Sequence, residues 1–541
     1  MASSSDLVIE TTLGPVRGQE TRGVYDDIYY SFEGIPFAEI PVGQLRFRPP
    51  LPKKPWSEIL DCTQKPSKPM QKNPFNNQIE GSEDCLYVNI YAKQLNSSKP
   101  LPVMIFVFGG AFEKGDPTRD LHGPDYFMEK ELIFVTVGYR LGSLGFVSFK
   151  DPHLKIPGNT GFKDQLMALK WLKANISRFN GDSENITIFG ESAGAASVHY
   201  LMCCPLAKGL FNKAILMSGT VLCPWAYNPL ENLPYRLAKA CGYEGPAEDE
   251  QQICEYLQKL PAEELMKPYI LTKEDNLNDC FFNFGPCKEP YRDKMCILEK
   301  HPEEILQDSW GHEIPVLMGG TSFEGLLMFP RVHMTPFILT ELEENPQHVL
   351  PLPVKTKHSV EVQKQLGDKV KKAYFGDKKA DMANVMNYCD YASHKVFWHP
   401  ILRSLKARIL AGKAPTYLYR FDFDSADFNH QRIKYCGKQI RGVAHVDDHS
   451  YLFYGNFSWK LSPETAEYKT IQRMIDIWSS FGINANPNCG HTKEVLKERC
   501  WLPVCSVDDI KCLNIGRELD VIDLPELQKL QVWESVYNIE S

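Results

Sequence analysis

Ser192 sits between two glycines in the stretch NITIFGESAGAASVHY, residues 185–200. A serine hydroxyl is a weak nucleophile until a base takes its proton, and G-x-S-x-G is one way in which chains present such a serine. Alone the motif says little: at ordinary Gly and Ser frequencies a chain of this length holds one by chance about one time in six. Its setting says more. The apolar run NITIFG leads into Gly190-Glu191-Ser192-Ala193-Gly194, and the small residues AASVHYLM follow as a helix start. Strand, sharp turn and helix form a nucleophile elbow: the glycines let strand and helix pack closely, and the serine oxygen is left clear above a sheet. The helix N-terminus favours negative charge at that point.

Such a serine needs donors for an oxyanion, a base, and an acid to orient the base. FVFGGAFEKG (106–115) places Gly109-Gly110-Ala111 directly after a strand-like run. The backbone N–H groups of Gly110 and Ala111, with that of Ala193, are the expected donors. In IPVLMGGTSFEG (314–325) a strand ends in a Gly-rich turn that carries Glu324, the candidate acid. In this architecture the base comes last along the chain. The last quarter holds His430, His445, His449 and His491. His445, in RGVAHVDDHSYLF, follows a glycine-led turn and is favoured, with His449 four residues on as the second candidate.

These groups must be held by a frame. VMIFVF (103–108), LIFVTVGY (132–139), NITIFG (185–190), KAILMSG (213–219), IPVLMGG (314–320) and TYLYRFDF (416–423) read as buried strands. Between them, 162–179 reads as an amphipathic helix, with Leu166, Leu169, Leu172 and Ile176 at spacings of three and four. Alternating strands and helices predict a large, mostly parallel sheet flanked by helices, and the stretch from about 240 to 410 predicts helical insertions. No repeat or Gly/Ser linker divides the 541 residues, so one α/β domain over 1–541 is expected.

The net charge is −8 and the sequence pI about 6.0, which argues against a nucleic-acid surface. No apolar run approaches the roughly 20 residues that a membrane helix needs. The first residues, MASSSDLVIETTLG, carry no basic and apolar leader, so the chain as given is expected in the cytoplasm, and a trimmed N-terminus would make it secreted instead. No C-x-x-C and no Cys/His set with zinc spacing occurs, and neither metal nor organic cofactor is expected.

Taken together, FGESAG, FGGAF, GTSFEG and GVAHVDD, with EGIPFAEIPVGQLRFRPP (33–50), SEDCLYVNIY (82–91), GYRLGSLGF (138–146) and PGNTGFKDQLMALKWL (157–172), resemble the type-B carboxylesterase/cholinesterase group of α/β-hydrolases. The resemblance runs from about residue 8 to 535. VYDDIYYSFEGIP, LHGPDYF and YRFDFDS look most like insect α-esterases. The resemblance implies the α/β-hydrolase fold, a Ser192–Glu324–His445 triad, and an oxyanion hole of Gly110, Ala111 and Ala193. It implies that Ser218 and Glu191 support the triad, that Trp225 walls the acyl pocket with Phe108 near it, and that Arg46–Glu83 and Arg140–Asp164 are structural ion pairs. It also implies disulfides Cys62–Cys85 and Cys241–Cys254. Sequons at Asn96, Asn175, Asn185 and Asn456 fit the same oxidising history.

Three positions depart from the family pattern. Phe108 replaces the usual His or Tyr, Ala111 stands where many members have Gly, and His449 replaces an apolar residue. Cholinesterases cage a cation against a Trp before the SEDC-like motif; here 63–81 has no Trp, and Phe75 is its only aromatic. The function implied is a serine carboxylesterase acting on small-molecule esters, xenobiotic or lipid-like, and open to organophosphate and carbamate inhibitors. A hormone or pheromone (juvenile-hormone-like) esterase is one alternative, and a non-catalytic cholinesterase-like binding protein is another.

Overall fold

The computed structural model describes residues 7–73, 76–488, 496 and 500–538. Phe75 and His491, both weighed above, lie outside them. An 11-stranded sheet runs through the chain. Its strands are β1 (Gln19–Arg22), β2 (Ile28–Pro36), β3 (Tyr87–Ala92), β4 (Leu101–Val107), β5 (Ile133–Val137), β6 (Gly181–Glu191), β7 (Lys213–Met217), β8 (Val316–Thr321), β9 (Thr416–Phe421), β10 (Lys511–Ile515) and β11 (Leu519–Asp523). Across the sheet the order is β11-β10-β9-β8-β7-β6-β4-β5-β3-β2-β1. Every neighbour pair from β10 to β5 is parallel, and the two flanks are antiparallel. This is the α/β-hydrolase fold, and its parallel centre explains the continuous apolar runs. β5, β7 and β8 are buried at every residue, as strands covered on both faces must be.

Register decides what meets at the C-terminal edge. Val107 lies beside Gly190, Glu191 beside Met217, and Met217 beside Gly319. The loops leaving β4, β6, β7 and β8 therefore start side by side. They carry Gly109–Ala111, Ser192, Ser218 and Glu324.

The helix expected over 162–179 is α1 (Thr160–Asn175), closed by a 3-10 turn to Phe179. Leu166, Leu169, Leu172 and Ile176 are buried and Lys170 and Ala174 are exposed, but the buried face is wide: it holds twelve of the sixteen residues of α1, Lys163 and Asp164 among them. Both charges are neutralised in place. Lys163 Nζ lies 2.8 Å from Glu289, and Arg140 holds Asp164 through two side-chain hydrogen bonds of 2.6 and 2.8 Å. Arg46 pairs with Glu83 through bonds of 2.7 and 2.6 Å. No described helix is long and apolar enough to cross a membrane.

The four cysteines for which two bridges were implied are free thiols. Burial pushes Cys62 up to about 12 and Cys254 up to about 11, and it raises Cys85 and Cys241 as well. The thiolate that disulfide exchange requires is then scarce.

The Arg140–Asp164 pair gives a direct test. Asp164→Ala strands a buried guanidinium and should cost about 3–5 kcal/mol in chemical denaturation, whereas the double change Arg140→Met/Asp164→Leu should recover most of it. A single variant within 1 kcal/mol of wild type (roughly the worth of a surface pair) would show that the pair is dispensable.

Candidate active site

β6 ends at Glu191, and helix α2 (Ala193–Cys203) begins two residues later. Ser192 bridges them at φ 56°, ψ −123°, a conformation that a side-chain-bearing residue adopts only under constraint. The constraint is the crowding around it. A Cβ on Gly194 would lie 2.0 Å from Val107 O, and one on Gly190 would lie 2.5 Å from Gly194 C. Ser192 N–H donates to Met217 O at 2.8 Å, which ties the turn to β7.

Ser192 Oγ lies 2.9 Å from His445 Nε2. His445 Nδ1 donates to Glu324 Oε2 at 2.6 Å, which fixes the tautomer with Nε2 free to accept. The other oxygen of Glu324 accepts from Ser218 Oγ at 2.6 Å and from Thr321 N–H at 2.7 Å. Both Glu324 and Ser218 are fully buried. Phe397 packs on the His445 ring with centroids 4.5 Å apart. The structure thus brings Ser192, His445 and Glu324 into one hydrogen-bonded line.

The glycine loop lies against the elbow. A Cβ on Gly109 would stand 3.1 Å from Ser192 Cβ and 2.4 Å from Glu191 O. Gly110, Ala111 and Phe112 follow at φ 118°, 63° and 59°. Three bonds anchor this loop: Tyr139 Oη donates to Phe108 O at 2.7 Å, Gly142 N–H to Phe112 O at 2.7 Å, and Gln71 Nε2 to Gly115 O at 2.6 Å. Ala193 is the first residue of α2, where a backbone N–H has no acceptor within the helix. Phe108 stands behind the loop, its ring stacked on Tyr139 at 4.4 Å and buried. Trp225 faces the centre: the ring edge lies 3.1 Å from where a Gly219 Cβ would be, and that position is 2.3 Å from Ser192 O. Its indole N–H donates to Val396 O at 3.0 Å.

A second acid crowds the imidazole. Glu191 Oε1 lies 3.0 Å from His445 Nε2, the nitrogen that faces Ser192. Burial, then Asp448 and Glu324, push Glu191 well above the usual carboxylate range. That matters chemically. An ionised Glu191 would hold a proton on Nε2 and block it as an acceptor, while a neutral one leaves Nε2 to the serine. Behind Glu191 stands His449, its Nε2 4.0 Å from Oε2. Its ring meets His122 edge to face at 5.6 Å. Burial drives His449 well below the usual imidazole range and His122 down to about 4. His122 falls in the stretch LHGPDYF, for which the motif reading gave no role; it is 327 positions from His449 by residue number and lies on a short helix after the glycine loop.

The model of the carboxylesterase family matches residues 5–533. Esterase B1 of Culex pipiens is 37% identical over 99% of both chains. Juvenile hormone esterase of Tribolium castaneum is 32% identical over 90% of this chain and 84% of its own. The crystal structure of juvenile hormone esterase from Manduca sexta, with OTFP covalently attached, superposes with a TM-score of 0.86 at 28% identity, covering 98% of this chain and 100% of that one.

The two histidines separate by experiment. His445→Ala should nearly abolish ester turnover, and His449→Leu should keep most of it; the reverse would move the base to His449. His449 also carries an acid-side stability term. Its folded-state pKa is depressed, so below about pH 6.5 the unfolded chain binds the proton that the native chain refuses, and stability falls as pH falls. His449→Leu should lose less melting temperature between pH 7 and pH 5 than wild type does. An equal loss would show that His449 titrates freely.

Proposed function

This chain belongs to the carboxylesterase family, and from that premise we propose that it hydrolyses carboxylic esters through an acyl-enzyme on Ser192. The 2.9 Å contact of Ser192 Oγ with His445 Nε2, backed by the 2.6 Å bond to Glu324, carries this reading. His445 takes the hydroxyl proton as Oγ attacks the ester carbonyl. Glu324 holds the imidazole and offsets its charge once it is protonated. The N–H groups of Gly110, Ala111 and Ala193 receive the oxyanion. His445 then protonates the departing alcohol, and a water molecule, deprotonated by the same nitrogen, releases the acid.

Ser218 and Glu191 act on this line without touching substrate. Ser218 occupies one oxygen of Glu324, leaving the other to His445. Burial pushes Glu191 upward, which weakens its pull on a proton at Nε2. The whole of 1–541 is read as one catalytic domain. A cytoplasmic location is proposed with it, where cysteine pairs can stay reduced.

Medium-sized apolar esters are the proposed substrates, xenobiotic or lipid-like, because the aromatic side chains of Trp225 and Phe397 stand next to the reaction centre. Organophosphates and carbamates should modify Ser192 for the same reason that esters do. Likeness to two juvenile hormone esterases supports a hormone ester as the second reading. Comparing kcat/KM for methyl esters of a branched isoprenoid acid and of straight-chain acids separates the two.

Ser192→Ala should lower turnover of an aryl ester by about 10⁴-fold or more. Activity within tenfold of wild type, in a variant that melts normally, would exclude Ser192 as the nucleophile. Trp225→Leu should raise kcat/KM for branched acyl esters over butyrate esters by roughly tenfold, since one methylene in an apolar pocket is worth about 1–3 kcal/mol. The series needs one common leaving group. An unchanged ratio would return Trp225 to the role of core filler.

A further inference from the structure

A cavity of about 500 Å³ lies beside the reaction centre. That volume is in the range of small-molecule sites. Its wall on the catalytic side is made by Val396, whose carbonyl accepts from Trp225, and by Met328, four residues past Glu324. Tyr388, Phe281 and Leu342 contribute to an apolar lining. Neither Ser192 nor His445 borders it.

Its charges are unevenly matched. Lys395 is paired with Asp279 at 2.6 Å, and Lys273 and His348 both meet Glu341, His348 at 3.1 Å. Among the described residues lining the cavity, Arg331 alone is a cation with no carboxylate partner. Its guanidinium donates to the neutral Asn276 amide at 2.9 Å and lies over the Phe281 ring at 5.2 Å. Three permanent cations, Lys273, Arg331 and Lys395, thus face two carboxylates, in a chain whose net charge is −8. The excess extends behind the wall. Lys355 is held down to about 8 by burial first and by Lys395 second.

We propose that this cavity is a second binding site, for an amphipathic carboxylate such as a medium-chain fatty acid, with Arg331 taking the carboxylate and the apolar lining taking the chain. A guanidinium suits a carboxylate better than an ammonium does, because its planar fork offers two parallel N–H groups. The site goes beyond the ester chemistry and does not require it. It does place a receptor for carboxylic acids one wall away from a centre that is read as releasing them.

The test is calorimetric binding of dodecanoate, with dodecanol as the neutral probe. Both are titrated into untreated protein and into protein treated with a small organophosphate to block Ser192. Dodecanoate should bind in both preparations, and dodecanol should bind about tenfold or more weakly, the worth of one charge-assisted pair. Arg331→Gln should bring dodecanoate down to the dodecanol level, and Arg331→Lys should recover part of the difference. Binding that disappears on blocking Ser192 would place the ligand at the reaction centre and overturn the proposal. So would an Arg331→Gln variant that binds dodecanoate as wild type does. Should Arg331→Gln fail to fold, Ile338→Trp fills the cavity from its lining. It should abolish binding of both probes, and unchanged binding would overturn the proposal. A protein that the organophosphate does not label would instead count against Ser192 as the nucleophile, while dodecanoate binding to the untreated protein still decides the cavity.

Discussion

Where β6 turns into α2 there is no room for one more carbon atom, and the rest of the site follows from that closeness. Val107 O approaches Gly194 within a distance that no Cβ survives, and Gly190 is pressed against the same helix turn. The chain can satisfy this only by bending sharply at residue 192. The residue at the bend then has no freedom to relax, because its N–H is bound to Met217 O on the next strand. Ser192 is thus placed by backbone packing rather than by contacts of its own side chain. That leaves the hydroxyl free to interact with whatever stands above it.

What stands above it is one imidazole among three buried carboxyls. Glu324, Glu191 and Asp448 all act electrostatically on one another in this small volume. Water would dissipate such repulsion, but these side chains are buried. The structure resolves it by unequal hydrogen bonding. Glu324 receives Ser218, Thr321 and His445, a full set for a carboxylate. Glu191 Oε1 has no donor, and Asp448 has Tyr419 Oη at 3.4 Å on one oxygen only. Asp448 is pushed up to about 7, burial first and Glu324 second. Burial first, and the neighbouring carboxyls second, raise Glu191 and Asp448 above the usual carboxylate range, while Glu324 is the acid whose oxygens the donors fill and which orients the base. His449 and His122 extend this arrangement with two imidazoles that burial disfavours charging.

Much of this was legible in the sequence, and what was not has a physical reason. The central strands could be read because strands buried on both faces are continuous apolar runs. The elbow could be read because close packing demands small residues at fixed offsets from Ser192. The apolar stripe of α1 is buried as its spacing predicts, but a sequence shows Lys163 and Asp164 as charges and not the partners at Glu289 and Arg140 that let them be buried too. His122 lay inside the quoted stretch LHGPDYF, but its contact with His449 is made across the fold and no local spacing shows it. The implied cystines came from the resemblance, and in this structure the four thiols stand unbridged.

The wall between Trp225 and His445 shows most clearly what a pattern of apolar residues leaves out. The segment HKVFWHP reads as ordinary helix, yet residues His394–Trp398 form a π-turn, with His399 N–H reaching back to His394 O. Pro400 accounts for it. In a regular helix the N–H of residue 400 would bond to Val396 O, and proline has none to offer. The helix loosens there, and Val396 O has no N–H of residue 400 to accept from. The Trp225 indole fills the vacancy from across the site. The extra residue in the turn also carries Phe397 round onto the His445 ring, 4.5 Å away. One missing N–H thus anchors the wall of the pocket and packs the imidazole from the same few residues. Restoring that N–H would let Val396 O turn back into its own helix, so the orientation of Trp225 depends on a proline that touches neither substrate nor triad.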